Sequence, residues 1–98
     1  MGTSAKSAAF LMESLVAEAA AGDADALYRL GVAYSTGTCG TEIDLVEAHK
    51  WFNLAALNGS ALGQQCRADI AEEMTAREIA EAQRQARAWL SDSWRRAA

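Results

Sequence analysis

The sequence predicts an all-α protein of about five short antiparallel helices, and three observations carry that prediction. Proline is absent and about a quarter of the residues are alanine, so the strongest breaker of helix interiors is missing and the strongest helix former is abundant. Apolar residues recur at three- and four-residue spacing, and nowhere alternate with period two over a useful length. Glycine, Asp, Ser or Thr stands where that pattern breaks, as expected at helix ends.

The first helix is expected over about 7–21, with Phe10, Leu11, Leu15 and Ala19 on one stripe and Gly22 ending it. Asp23 then offers a capping carboxylate to a second helix, about 23–36, whose Leu27, Leu30, Gly31 and Tyr34 share a face. Gly37 and Gly40 bracket a loop over 35–43 that has no helical pattern. Asp44 caps a third helix, about 44–58, carrying Leu45, Ala48, Trp51, Phe52 and Ala55, and Asn58-Gly59 closes it. Ser60 opens a fourth, about 60–74. Thr75 and Glu78 form a capping box at the head of a fifth, about 76–93, which displays Ile79, Ala82, Ala86, Trp89 and Leu90. Most connections are so short that neighbouring helices should be antiparallel and in contact.

Composition narrows the function classes. With 98 residues, 51% apolar and 22% charged, the chain fits one folded domain, 1–98, rather than a disordered segment. A net charge of −4 argues against nucleic acid, which needs a concentrated basic face. Cys39 and Cys66 lack C-x-x-C spacing and read as free thiols; with His49 alone beside them, no metal site is expected. The apolar run 8–15 is interrupted by Glu13, unlike a signal peptide, and no stretch is long enough to span a bilayer. The expected compartment is therefore the cytoplasm, with no membrane partner.

Self-similarity distinguishes a bundle from a repeat. Ala48-His-Lys-Trp51-Phe52 recurs 38 residues later as Ala86-Arg-Ala-Trp89-Leu90, and Gly22-Asp-Ala24 recurs 37 residues later as Gly59-Ser-Ala61. Residues Ala26, Leu30-Gly31, Tyr34 and Gly37, then Asp44, Ala48, Trp51-Phe52, Ala55-Ala56 and Gly59, fill one whole unit of a pattern. In this the chain resembles the Sel1-like repeats, relatives of the tetratricopeptide repeats. A degraded second unit spans about 60–93; it keeps Ala86 and Trp89 but has Arg67-Ala68 and Ala71 where Leu-Gly and Tyr are expected, and it lacks the glycine loop. The predicted fold is thus a short α/α solenoid, roughly two such repeats plus an N-terminal helix. Gly31 and Ala55-Ala56 are small where helices must cross closely, and Tyr34, Trp51 and Phe52 fill the space beside them.

Catalytic chemistry finds little footing. No Gly-x-Ser-x-Gly, Walker or dinucleotide pattern is present, and Gly37-Thr-Cys-Gly40 follows a helix rather than a strand, so no cofactor is expected. His49 and Cys66 fall on different helices outside any nucleophile–base signature; a solvent-facing His and a partly buried Cys are the expectation. Glu72-Glu73, Glu78 and Glu81 flank a turn, and Arg77 and Arg84 stand at ion-pairing spacing from Glu81, which reads as a solvated face. Arg84, Arg87 and Trp94-Arg95-Arg96 give the last helix a basic face, with Trp94 read as part of a cap.

The resemblance implies a non-enzymatic adaptor or scaffold that binds a peptide or protein segment, with the first helix of each pair lining a concave face. In this chain those are the second and fourth helices. Their non-core positions are Asp25, Tyr28, Arg29 and Val32, and, one period on, Leu62, Gln65, Cys66 and Asp69. The low repeat number also leaves the first and last helices as candidates for a homodimer contact.

Overall fold

The computed structural model describes residues 5–97, with side chains for 7–93. Five helices follow one another: α1 (Ala5–Ala20), α2 (Ala24–Thr36), α3 (Leu45–Leu57), α4 (Ala61–Ala71) and α5 (Ala76–Ala97). The described residues contain no strand. Each internal helix starts on the side chain that the sequence offers. Asp23 accepts from the Ala26 amide at 3.0 Å, Asp44 from Glu47 at 3.1 Å and Ser60 from Gly63 at 2.9 Å. Thr75 and Glu78 close their box at 3.1 and 2.8 Å, so amides with no helical partner are satisfied by side chains.

Helix ends differ from the sequence pattern most at the C-termini of α4 and α5, and α1 begins at Ala5 rather than about 7. α4 stops at Ala71 rather than 74, because Glu72, Glu73 and Met74 donate their amides three residues back, tightening the last turn out of α-geometry. α5 continues to Ala97, beyond the expected 93.

α3 is the hub: α2, α4 and α5 pack on it, α1 packs on α2, and α2 lies beside α4. The molecule is 22 Å thick in its shortest direction, two helix layers. The α2–α3 crossing depends on Gly31, where a Cβ would overlap the Phe52 ring. Phe52, Leu27, Leu30 and Leu54 are fully buried around it. A second crossing, α3 on α4, uses Gly63, where a Cβ would lie 2.8 Å from Ala55 Cβ and 3.1 Å from the Phe52 carbonyl oxygen. On the other side of α3, Trp51 and Trp89 meet edge to face at 4.8 Å, and Ala82 and Ala86 are buried, which seats α5.

The short turn between α4 and α5 leads to an expectation of a tight pair, yet these two helices make little backbone contact; α5 rests on α3 instead. The cause is the face that α4 presents. Where α2 has Leu27, Leu30, Gly31 and Tyr34, α4 has Gln64, Arg67, Ala68 and Ala71 one period on. Gly63 is its only buried residue.

Candidate functional site

The outward positions of α2 and α4 form one face because the two helices lie side by side. Tyr28 and Cys66 are where they meet. The Tyr28 ring leans on Phe52 with centroids 5.8 Å apart, and burial, followed by the nearby Cys66 thiol, holds its phenol above the usual tyrosine value. The polar residues pair along their own helices: Arg29 Nε meets Asp25 Oδ2 at 2.8 Å, and Gln65 Nε2 donates to Asp69 Oδ1 at 3.0 Å. Both pairs are solvent-exposed, so they hold side chains in place more than they stabilise the fold. Leu62 stands 62% exposed in the first turn of α4. Val32, half-buried, lines a cleft with Leu11 and Leu15 of α1.

Beside Val32 the structure opens a cleft that the sequence pattern does not announce. Its volume is about 370 Å³, and its walls are Leu11 and Leu15 of α1, Tyr28, Arg29 and Val32 of α2, and Thr38 and Cys39 of the following loop. A second hollow of about 390 Å³ adjoins it at Cys39 and is bounded by Met12, Glu13 and Thr41. The loop wall is fastened from behind. Gly37 takes φ 74° to end α2, the Thr41 hydroxyl donates to the Ala33 carbonyl at 3.1 Å, and the Asp44 amide donates to the Tyr34 carbonyl at 2.9 Å. Cys39 itself sits at φ 56°, a left-handed conformation unusual for a side-chain-bearing residue. Phe10, at 71% exposed, and Leu11, at 47%, extend the apolar surface along α1.

The sequence placed Leu11 and Leu15 on one apolar stripe but not at a site; Leu15 is buried in the core at the floor of the cleft and Leu11 is half-exposed at it. A signal was present: adjacent Phe10 and Leu11, with Leu15 and Val16, make an apolar stripe wider than one neighbouring helix can bury.

His49 corrects another expectation. It is buried, not solvent-facing, at 3% exposure. On α3 it lies one turn before Asn53, which accepts from Arg67 of α4 at 2.6 Å, so its face is the α3–α4 seam. Its Nδ1 has no hydrogen-bond partner among the described residues, and burial, then the Arg67 charge, lowers its pKa. No hydrogen bond joins it to Cys66 among the described residues; both cysteines are free and half-buried. Glu81 accepts from Arg84 at 2.9 and 2.6 Å and from Gln85 at 2.8 Å, and these bonds hold its carboxyl down to about 2. The side chains of Trp94, Arg95 and Arg96 lie outside the described residues. Among the described residues no group of three or more His, Cys, Asp or Glu could hold a metal ion, and no helix is long and apolar enough to cross a membrane.

Residues 24–60, which run from α2 through the glycine loop and α3 to the cap of α4, match the family model of the Sel1 repeat. That segment, 37 of the 98 residues, is similar to one Sel1 repeat, as the sequence pattern led us to expect. The matched segment is the one locked by Gly31 and Phe52. Sel1 repeats generally mediate protein–protein interaction. Comparison with curated proteins and with solved structures gave no match.

Proposed function

We propose that this protein is an adaptor that holds a peptide or protein segment against the face formed by α2 and α4. The observation that carries the reading is the Tyr28–Cys66 meeting. It joins the two helices into one surface, on which Leu62 leaves an apolar side chain within reach of a partner. Asp25–Arg29 and Gln65–Asp69 rim that surface with donors and acceptors already oriented by their pairing. Such an arrangement, an apolar centre with a polar rim, is the usual anatomy of a docking patch.

The test is co-precipitation from host lysate with the wild-type chain beside an Arg29→Glu, Gln65→Arg variant, both checked for fold by circular dichroism. A partner held by the wild type and lost by the folded variant supports the reading. If both retain only copies of the chain itself, the α2–α4 face is not the docking surface. Association into a homodimer through α1 and α5, which expose Phe10, Leu11 and Leu90, then takes its place.

A further inference from the structure

We infer that the cleft between α1, α2 and the 37–43 loop takes a cationic, apolar segment of a partner protein: two or three aliphatic or aromatic side chains interrupted by Lys or Arg. The inference rests on the adaptor reading, but seats the partner's segment in the cleft beside the α2–α4 face, the two sharing Tyr28 and Arg29.

Shape and lining come first. The two hollows share Cys39 and so form one elongated depression, each part within the roughly 300–1,000 Å³ of small-ligand pockets. Their walls are mostly apolar, and Leu11 and Phe10 carry that surface outward along α1. The loop wall is held by hydrogen bonds to the end of α2, so the depression exists before anything enters it. A preformed site spares a partner the cost of ordering it.

Charge then selects the occupant. Between Ser7 and His49 the chain carries seven carboxylates and one cation, Arg29. That arginine lines the cleft, but Asp25 sits on it at 2.8 Å. Glu13 lines the second hollow. Glu18 lies two turns beyond Leu11 on the same α1 stripe, toward the turn that leads to Asp25, and Glu42 follows Thr41 in the loop. All three glutamates are exposed, and among the described residues none has a cationic partner. An apolar trough edged by unpaired carboxylates attracts Lys and Arg side chains and repels Asp and Glu.

The test is selection of a random twelve-residue peptide library, displayed on phage, against the wild-type chain. Selected peptides are then synthesised and their affinities measured by fluorescence anisotropy. Leu11→Lys is the diagnostic variant: Leu11 is already half-exposed, so the fold survives, and the new ammonium meets the incoming cations. The expected result is enrichment of peptides with net positive charge and at least two large apolar residues. Their affinity falls about tenfold or more in Leu11→Lys and in Glu13→Lys, and falls again as salt rises through the screening range. Neutral or acidic peptides that still require Leu11 would overturn the charge selection and leave the adaptor reading standing. Peptides indifferent to Leu11→Lys but lost in Leu62→Glu would overturn the cleft and keep the α2–α4 face. No enrichment at all would overturn both. A concentration-dependent mass of the wild type, abolished by Leu11→Lys, would make a second copy the occupant and overturn the proposal.

Discussion

The sequence pattern sets the α4–α5 pair as a degraded copy of the α2–α3 pair, yet only α2–α3 closes. In the first, Leu27 and Leu30 join Trp51, Leu54 and Ala55 in the core, and Gly31 lets the helix backbone approach the Phe52 ring. In the second, Gln64, Arg67 and Ala68 occupy the matching positions, Leu90 replaces Phe52 and is 43% exposed, and the two helices part company. α4 keeps one close contact, through Gly63, and one polar tie, Arg67 to Asn53; α5 keeps Trp89, Ala82 and Ala86. Both therefore hang separately from α3. A repeat can lose its internal hairpin and survive, provided each of its helices is stacked on the previous unit, which is how one-dimensional arrays distribute stability. For the proposed docking face, the consequence is an α2 half that is fixed and an α4 half tied to α3 through Gly63 and Arg67.

The largest expected effect separates the two units at one equivalent position. Phe52→Ala removes a fully buried ring, and urea unfolding should show a loss of about 3–5 kcal/mol, a large part of the stability of a small domain. Leu90→Ala, its counterpart, should cost no more than about 1 kcal/mol because its side chain is already half in water. Equal losses would mean that the second unit is as tightly packed as the first. Next comes Gly63→Ala. Helix propensity alone favours the change by about 1 kcal/mol. The new methyl, however, meets the Phe52 carbonyl and Ala55 rather than a flexible tip, and overpacking of about 1–3 kcal/mol should exceed the gain. The net loss should be seen as a lower unfolding midpoint together with weakened binding at the α4 half; a raised midpoint would show that α4 can shift outward freely.

The smallest effect concerns pH. The folded state lowers the His49 pKa, so below its usual 6.5 the unfolded chain binds a proton that the folded chain does not. Stability is full above that pH, falls as the pH drops through it, and levels once the folded pKa is passed. His49→Gln should flatten this slope in pH-resolved urea titrations; an unchanged slope would assign it to carboxylates instead.

The capping residues and the apolar face of α2 were legible because their signals are local: Asp23, Asp44, Ser60 and Thr75 act within one helical turn. The pairing of Gly31 with Phe52 was legible as small against large at repeat positions. Three features were not. Gly63 reads as a weak helix residue until α3 is known to lie where its Cβ would be, 2.8 Å from Ala55 Cβ. His49, between Ala48 and Lys50, shares a face with Asn53, and only the arrival of Arg67 from α4 makes that face an interior. The cleft depends on Thr41 reaching Ala33 across eight residues, in a loop with no periodicity to read. Of the eight predicted face residues, Tyr28 and Cys66 are brought together, the polar four pair within their own helices, Leu62 stays exposed, and Val32 belongs to the cleft.

Native-state hydrogen exchange, read helix by helix by mass spectrometry, tests the central claim most directly. Amides of α2 and α3 should exchange slowest, at the rate of global unfolding, and those of α4 much faster through a local opening that leaves the first repeat intact. Protection of α4 equal to that of α3 would contradict the account, because it would mean that the second repeat closes as firmly as the first.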